Sequence, residues 1–238
     1  VSGHDNLCPE RLIISMPPRE GAFSQYLVMK DDNLVTVPDH VSSDAASLAE
    51  PVACGWHTVR LAKAALSGDA KTALVIGGGA IGLGAALSLS AQGVADVTIV
   101  EPNALRRDVL NTKCQQTAIS PDDLPNDAQF DLVIDGVGYA ATRATASAHA
   151  CPGGVIGHIG LGEGTGGLDV RRMTLQEITF IGTYTYTAQD FRDTAAAIFD
   201  GRLGALDWTE ERPLSEGGQA FADIRAGRTA APKIILRP

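Results

Sequence analysis

The sequence is poor in cysteine, in aromatic residues and in positive charge, and each shortage removes a class of protein. Four cysteines in 238 residues, Cys8, Cys54, Cys114 and Cys151, stand 46, 60 and 37 positions apart. No close pair is there to staple a small secreted scaffold or to begin a self-contained zinc knuckle, so a reducing cytoplasm is expected. Nineteen Lys and Arg face 28 Asp and Glu, a formal net charge of −9. So acidic a chain lacks the clustered cations that displace counterions from phosphate backbones, and no nucleic-acid partner is expected. The first twenty residues hold Asp5, Glu10, Arg11, Arg19 and Glu20 and no apolar run, which argues against a secretory signal there. No Met opens the chain, and from this we expect a fragment or a processed product.

Long uncharged runs are also scarce. The exception, Ala73 to Val94, is long enough to cross a bilayer. Gly77, Gly78, Gly79, Gly82 and Gly84 crowd its start, and each would cost a helix about 1 kcal/mol relative to Ala. The run reads instead as a strand, a tight turn and a helix, and no membrane association is expected. With 45% apolar residues the chain can bury a sizeable core.

The first fifty residues predict short strands at Gly21–Val28 and Asn33–Pro38, separated by the turn Lys30-Asp31-Asp32. Ser42 or Ser43 is expected to cap a helix that Pro51 interrupts, with a second helix from about Val52 to Leu66. From Lys71 strands alternate with helices, the pattern of a parallel sheet covered on both faces. The predicted strands are Thr72–Ile76, Val97–Val100, Thr117–Ile119, Leu132–Ile134, Val155–Ile159 and Thr179–Ile181. Helices are expected at Ala80–Ala91, Ala104–Leu110 and Ala140–His149. Together these make an α/β, doubly wound, six-stranded Rossmann unit. An amphipathic helix over Gln189–Phe199 and a strand at Lys233–Leu236 follow, and the tail is expected to pack back onto the first fifty residues.

The sharpest motif is Gly77-Gly78-Gly79-Ala80-Ile81-Gly82, set directly after an apolar strand and opening an apolar helix. In that setting Gly77 permits the turn, Gly79 lets a pyrophosphate approach the backbone, and Gly82 lets the helix pack closely on its strand. Free N–H groups at the helix start then face the phosphates. Glu101, nineteen residues after Gly82, ends the second strand, where its carboxylate can accept the adenosine ribose hydroxyls and repel a 2′-phosphate. That favours NAD over NADP. Arg106 and Arg107 line the same pocket or are solvated helix charges. Asp135-Gly136-Val137-Gly138 and Gly160-Leu161-Gly162 end two further strands and should border the nicotinamide half, unless they are ordinary strand-to-helix turns.

With these motifs in place the chain resembles the zinc-containing medium-chain dehydrogenase/reductase family, and within it sorbitol dehydrogenase and its polyol and L-idonate relatives. The resemblance rests on Asn6-Leu7-Cys8, Gly21-Ala22-Phe23 with Tyr26, Ala49-Glu50-Pro51 running into His57, the glycine motif, Asp135-Gly136, Gly182 to Tyr186 and Lys233-Ile234. It implies part of a GroES-like, mainly β catalytic domain at 1–51, a Rossmann dinucleotide-binding domain at 52–183, and a C-terminal segment at 184–238 that partly returns to the catalytic domain. It implies zinc as well as NAD. Cys8 would be the last ligand of a structural zinc lobe, or a plain buried Cys, and Glu50 would be a ligand or orienting carboxylate of the catalytic zinc and the one catalytic residue present. The other ligands of that family lie upstream of these positions. The expected cofactor set is Gly77, Gly79, Ala80, Ile81, Gly82, Glu101, Arg106, Gly136, Val137, Leu161, Thr183 and Tyr184. Sorbitol dehydrogenases carry Arg where this chain has Thr185, which puts sorbitol itself in question.

The expectation is an NAD- and zinc-dependent alcohol dehydrogenase acting on a polyol or related sugar derivative, as a homodimer or homotetramer. Two alternatives stay open at this point: a dinucleotide-binding relative without catalysis, and a nucleoside site for S-adenosylmethionine built on the same glycine motif.

Overall fold

The computed structural model describes residues 3–238; Val1 and Ser2, which begin the first expected domain, lie outside them. Residues 3–42 form turns and extended coil, with 3-10 turns at Asp5–Leu7 and Asp31–Asn33. The strands expected at 21–28 and 33–38 are not formed. A strand exists only by pairing, and among the described residues no second strand lies alongside these. Tyr26 is 92% exposed and Val28 85%. The mainly β remainder expected from 1–51 and the C-terminal segment is therefore limited, among the described residues, to one two-stranded sheet near the C-terminus.

Ser42 caps α1 (Ser43–Ser47) by accepting the Ala45 N–H, as its hydroxyl predicts. The chain breaks at Leu48 and not at Pro51, and α2 runs over Ala49–Ala65. Pro51 lies in the first turn of α2, where its missing N–H would have no helical partner in any case. The alternation then follows: β1 (Thr72–Ile76), α3 (Ala80–Ala91), β2 (Asp96–Val100), α4 (Ala104–Thr112), β3 (Thr117–Ile119), β4 (Phe130–Asp135), α5 (Ala140–His149), β5 (Ala150–His158), α6 (Val170–Leu175) and β6 (Thr179–Gly182). All six strands are parallel, in the order β3-β2-β1-β4-β5-β6. That order reverses direction between β1 and β4, and a ligand of such a sheet sits outside the carboxyl ends there.

Alternate residues of one strand feed two cores. Ala73 and Val75 join Leu83, Ile99, Leu132 and Ile134 on the face covered by α2 and α3. Leu74 and Ile76 join Val133, Ala146 and Ile156 on the face covered by α5. Each such aliphatic side chain contributes about 1.5–3 kcal/mol of burial, so the central strands carry apolar residues on both sides. The two helices of the first face meet backbone to backbone. A Cβ on Gly55 of α2 would lie 2.5 Å from the Ala85 nitrogen of α3, and one on Gly84 would lie 3.1 Å from the Val52 Cα.

Beyond the sheet lie α7 (Ala188–Phe199), β7 (Thr209–Pro213), α8 (Gly217–Arg225) and β8 (Lys233–Arg237), with β7 and β8 pairing in parallel. The tail touches the first fifty residues: Arg237 pairs with Asp44, and Phe221 meets Phe23 at 5.9 Å between ring centroids. No helix among the described residues is long and apolar enough to cross a membrane.

Candidate functional site

The carboxyl edge of the sheet gathers the glycine motif. Gly77 adopts φ +93°, and a Cβ there would also strike the Val137 Cγ2 at 2.4 Å. Gly82 is held by a harder limit, because its Cβ would sit 1.8 Å from the Gly77 carbonyl oxygen. Gly136 approaches the same helix turn, within 3.2 Å of the Gly82 Cα if it carried a Cβ. Gly79 differs from all three. Nothing of the protein lies within 4 Å of its Cβ position, and as the N-cap of α3 it offers no capping side chain. The first-turn N–H groups, including those of Ala80 and Ile81, thus have neither an intrahelical partner nor a cap and open onto free space. A helix start left uncapped in this way is the kind of place that receives an anion.

Glu101 closes the corner beyond β2. Its side chain is 4% exposed, and it accepts the Gly78 N–H at 2.8 Å through Oε2 and the Asn103 N–H at 2.8 Å through Oε1. Each oxygen keeps a lone pair for a further donor, such as a ribose hydroxyl. Arg106 lies over this carboxylate, with Nη1 3.6 Å from Oε2, and donates from Nη2 to the Thr229 carbonyl at 3.1 Å. Arg107 is engaged with the backbone carbonyls of Glu101 and Pro102. Asn103 both caps α4 and donates to the Gly227 carbonyl, tying the 227–229 loop over the same corner.

At the other end, Asp135 is fully buried and anchors the turn that follows β4. Its Oδ1 accepts the N–H groups of Val137 and Gly138, and its Oδ2 accepts the Thr142 hydroxyl. His158 stands 3.6 Å from that oxygen, and burial lowers the affinity of its ring for a proton. The next loop crosses over this turn: Gly162 N–H donates to the Val137 carbonyl and Glu163 N–H to that of Gly138. Leu161 points outward, 86% exposed.

The segment after β6 is placed differently from the glycine turn. Thr183 spends its N–H on the His158 carbonyl and shares its hydroxyl with Thr58 at 2.7 Å. Arg11 stacks over the Tyr184 ring at 4.9 Å, and the Tyr184 carbonyl accepts from Asn6 at 2.7 Å. Cys8, half-buried with a free thiol, is therefore part of a turn that lies against this segment. Thr185 has φ +49°, a strained setting for a β-branched residue. Tyr186 then donates its hydroxyl to Glu50 Oε1 at 3.2 Å.

This last contact collects a small acidic corner at the start of α2. Burial, with Glu50 adding to it, pushes the Cys54 thiol up to about 12 and raises the Tyr186 hydroxyl too, so both stay protonated near neutrality. Behind it a buried clamp joins α2 to α7. Asp190, 1% exposed, accepts from His57 Nδ1 at 2.7 Å, from Arg60 Nε at 2.6 Å and from the Thr187 hydroxyl at 2.6 Å. Burial alone would raise its carboxyl, but these donors outweigh burial and hold it well below the usual carboxylate range.

The structure thus brings together Gly77, Gly79, Ala80, Ile81, Gly82, Glu101, Gly136 and Val137. It sets Thr183, Tyr184 and Glu50 along a second line, toward α2. Sequence reasoning missed Asn103, Tyr186 and Asp190 as organisers. The S/T/D/N-type cap signal at Asn103 was the one clue available; the others act through partners more than a hundred positions away. For zinc the donor set is too small. Among the described residues no three His, Cys, Asp or Glu side chains group so as to hold a metal, whereas zinc takes four ligands.

Known proteins give the same picture. The chain is 29% identical over 213 residues to L-galactonate-5-dehydrogenase of Escherichia coli, matching 86% of this chain and 61% of that protein. It is 27% identical over 194 residues to sorbitol dehydrogenase of Bacillus subtilis, 77% of this chain and 54% of that one. It spans about half to two thirds of the length of these curated relatives. Its fold superposes on acetophenone reductase from Geotrichum candidum, solved in complex with NAD, with a TM-score of 0.84 at 23% identity, over 100% of this chain and 68% of that one. Residues 80–200, from the start of α3 through the end of α7, match the family model described as zinc-binding dehydrogenase. With glycine turn, acidic strand end and sheet order all in agreement with that match, the chain belongs to the zinc-binding dehydrogenase family.

Proposed function

We propose that the protein is a dehydrogenase that moves a hydride between NAD and a secondary alcohol, a polyol or a related sugar derivative. The observation that carries this reading is the open cradle at Gly79 with the Glu101 carboxylate at the end of β2. The cradle takes a pyrophosphate on the free N–H groups of α3, and the carboxylate takes ribose hydroxyls while disfavouring a 2′-phosphate. When bound, the nicotinamide supplies the hydride acceptor. Polyol and sugar-acid dehydrogenases among the relatives support the substrate class.

The residues divide the work by position. Val137 and Gly136, held by Asp135, give the nicotinamide half a preformed wall, and Leu161, Thr183 and Tyr184 border it. Glu50 presents a carboxylate at the start of α2, its rotamer fixed by Tyr186. Zinc does not fit the described residues by themselves, so Glu50 and Cys8 are proposed as no more than one donor each and no step is assigned to a metal. The 52–183 stretch is the dinucleotide unit in this reading, with 1–51 and 184–238 forming the substrate side. The free outer edge of β6 suits a homodimer or homotetramer, and the cytoplasm is the proposed compartment.

The test is a fluorescence titration with NADH, NADPH and S-adenosylmethionine, followed by NAD reduction with a panel of polyols, aldonates and secondary alcohols. NADH binding tighter than NADPH by about tenfold or more is expected. Binding of S-adenosylmethionine in preference to NADH would overturn the reading.

A further inference from the structure

Arg143 is a buried cation to which the dinucleotide reading gives no task. It lies on α5, 6% exposed, and its guanidinium meets backbone carbonyls. Nε donates to the Gly166 carbonyl at 2.6 Å, and Nη1 to those of Gly138 at 2.9 Å and Glu163 at 3.0 Å. Nη2 donates to the Thr165 carbonyl and lies 3.8 Å from the Glu163 carboxylate, itself half-exposed. The planar fork is thus spread over two loops, the turn after β4 and the loop after β5. Lys has one compact head and cannot span the same carbonyls in one plane.

The loop so held has little else to hold it. Residues 160–167 include five glycines, at 160, 162, 164, 166 and 167, and their single large apolar side chain, Leu161, is 86% exposed. So flexible a segment is costly to order, and apolar burial offers no return. Its ties are the Gly160 N–H bond to the Asp135 carbonyl at its base, the two N–H bonds to Val137 and Gly138, the Glu163 carboxylate accepting the Ala140 N–H, and the Arg143 fork. These place it beside the Gly136-Val137 turn, across the sheet from Glu101, since β2 and β5 are separated by β1 and β4.

We infer that Arg143 is a positioning residue for the nicotinamide end of the dinucleotide site. It orders the 160–167 loop before the cofactor arrives, so that binding does not bear that ordering. The inference rests on the dinucleotide reading and adds to it a division of labour: loss of the fork weakens the whole dinucleotide but not its adenosine half, which binds at Glu101.

The experiment compares NADH and AMP by titration calorimetry on wild type, Arg143→Lys and Arg143→Met, with hydrogen exchange measured over 160–167. Both variants are expected to weaken NADH by about tenfold or more while AMP affinity stays within about twofold. Exchange in the loop should quicken in the unliganded variants. Gly166→Ala covers the case in which the Arg143 variants do not fold. Its φ of +81° strains the loop from its exposed side, and the added Cβ meets only the Ala140 Cβ, at 3.5 Å. The same split between NADH and AMP is expected from it. Unchanged NADH affinity, equal weakening of NADH and AMP, or an Arg143→Lys protein that behaves as wild type would each overturn the inference. Wild-type protein that binds neither nucleotide would overturn instead the reading beneath it.

Discussion

Gly79 and Gly82 stand three residues apart in one turn, yet an added methyl group should do two different things at them. At Gly82 the Cβ would lie 1.8 Å from the Gly77 carbonyl oxygen, where real Cβ contacts keep at least 3.0 Å. The start of α3 must therefore back away from β1 by roughly 1 Å, an overpacking that costs about 1–3 kcal/mol. Ala favours a helix over Gly by about 1 kcal/mol, which offsets part of this. A net loss of up to about 2 kcal/mol lowers Tm by up to roughly 8 °C in a chain of this size. The displaced N–H groups also miss the pyrophosphate, and losing one such charge-assisted bond, worth about 1.5–3 kcal/mol, weakens NADH roughly 10- to 150-fold. At Gly79, φ is −72° and the Cβ position is empty. Gly79→Ala should lower Tm by no more than about 4 °C, since the added Cβ meets nothing and only the N-cap preference for Gly over Ala, about 1 kcal/mol or less, is lost, yet it should weaken NADH by about tenfold or more because the methyl occupies the space a phosphate needs. Differential scanning fluorimetry and NADH fluorescence titration on the two variants decide the matter. Wild-type affinity in Gly79→Ala, or wild-type melting and affinity in Gly82→Ala, would refute the reasoning.

Three further outcomes follow from the site. Glu101→Gln should narrow the preference for NADH over NADPH by about tenfold, because the repelling charge is gone while one acceptor remains for the Gly78 N–H; paired titrations read it. Asp190→Asn breaks a buried cluster of His57, Arg60 and Thr187 and should cost about 3 kcal/mol in denaturant unfolding. Because the Asp190 carboxyl is depressed in the folded state, its contribution is complete above the unfolded value of about 4 and is lost as pH falls below it, so the variant should show a flatter acid limb between about pH 4 and 2 than wild type. Cys54, pushed up to about 12 by burial, should resist a maleimide at pH 8 in the native protein and label on unfolding, as peptide mass mapping would show.

The dinucleotide unit was legible because its signals are local. The run Thr72–Ile76, the glycine turn and the helix Ala80–Ala91 follow one another without a gap, and each carries its own apolar pattern. What escaped depends on partners that local pattern does not name. β7, Thr-Glu-Glu-Arg-Pro, has no apolar alternation and exists by its register with β8. α8 opens on two glycines, and α6 is a short turn of helix begun by the Asp169 cap. Conversely, the stretch from Gly21 to Val28 has strand-like residues without a strand to pair with. At the site, Glu101 was readable from its distance to the glycines, but its hold on the Gly78 and Asn103 N–H groups was not. Nor was Arg143, because a side chain that binds carbonyls leaves no mark on the residues it binds.

The contact between Gly55 and Gly84 bears on how the chain can move. α2 carries Glu50 at its first turn, and α3 opens on the uncapped Gly79 cradle. Where they cross, main chain meets main chain, with no side chain between them to change rotamer and let one helix slide on the other. The acidic corner and the cradle are therefore two ends of a single stiff body, and their separation is fixed in the unliganded protein. Any opening or closing around a substrate has to bend the chain outside this pair, with the break at Leu48 between α1 and α2 as the nearest joint.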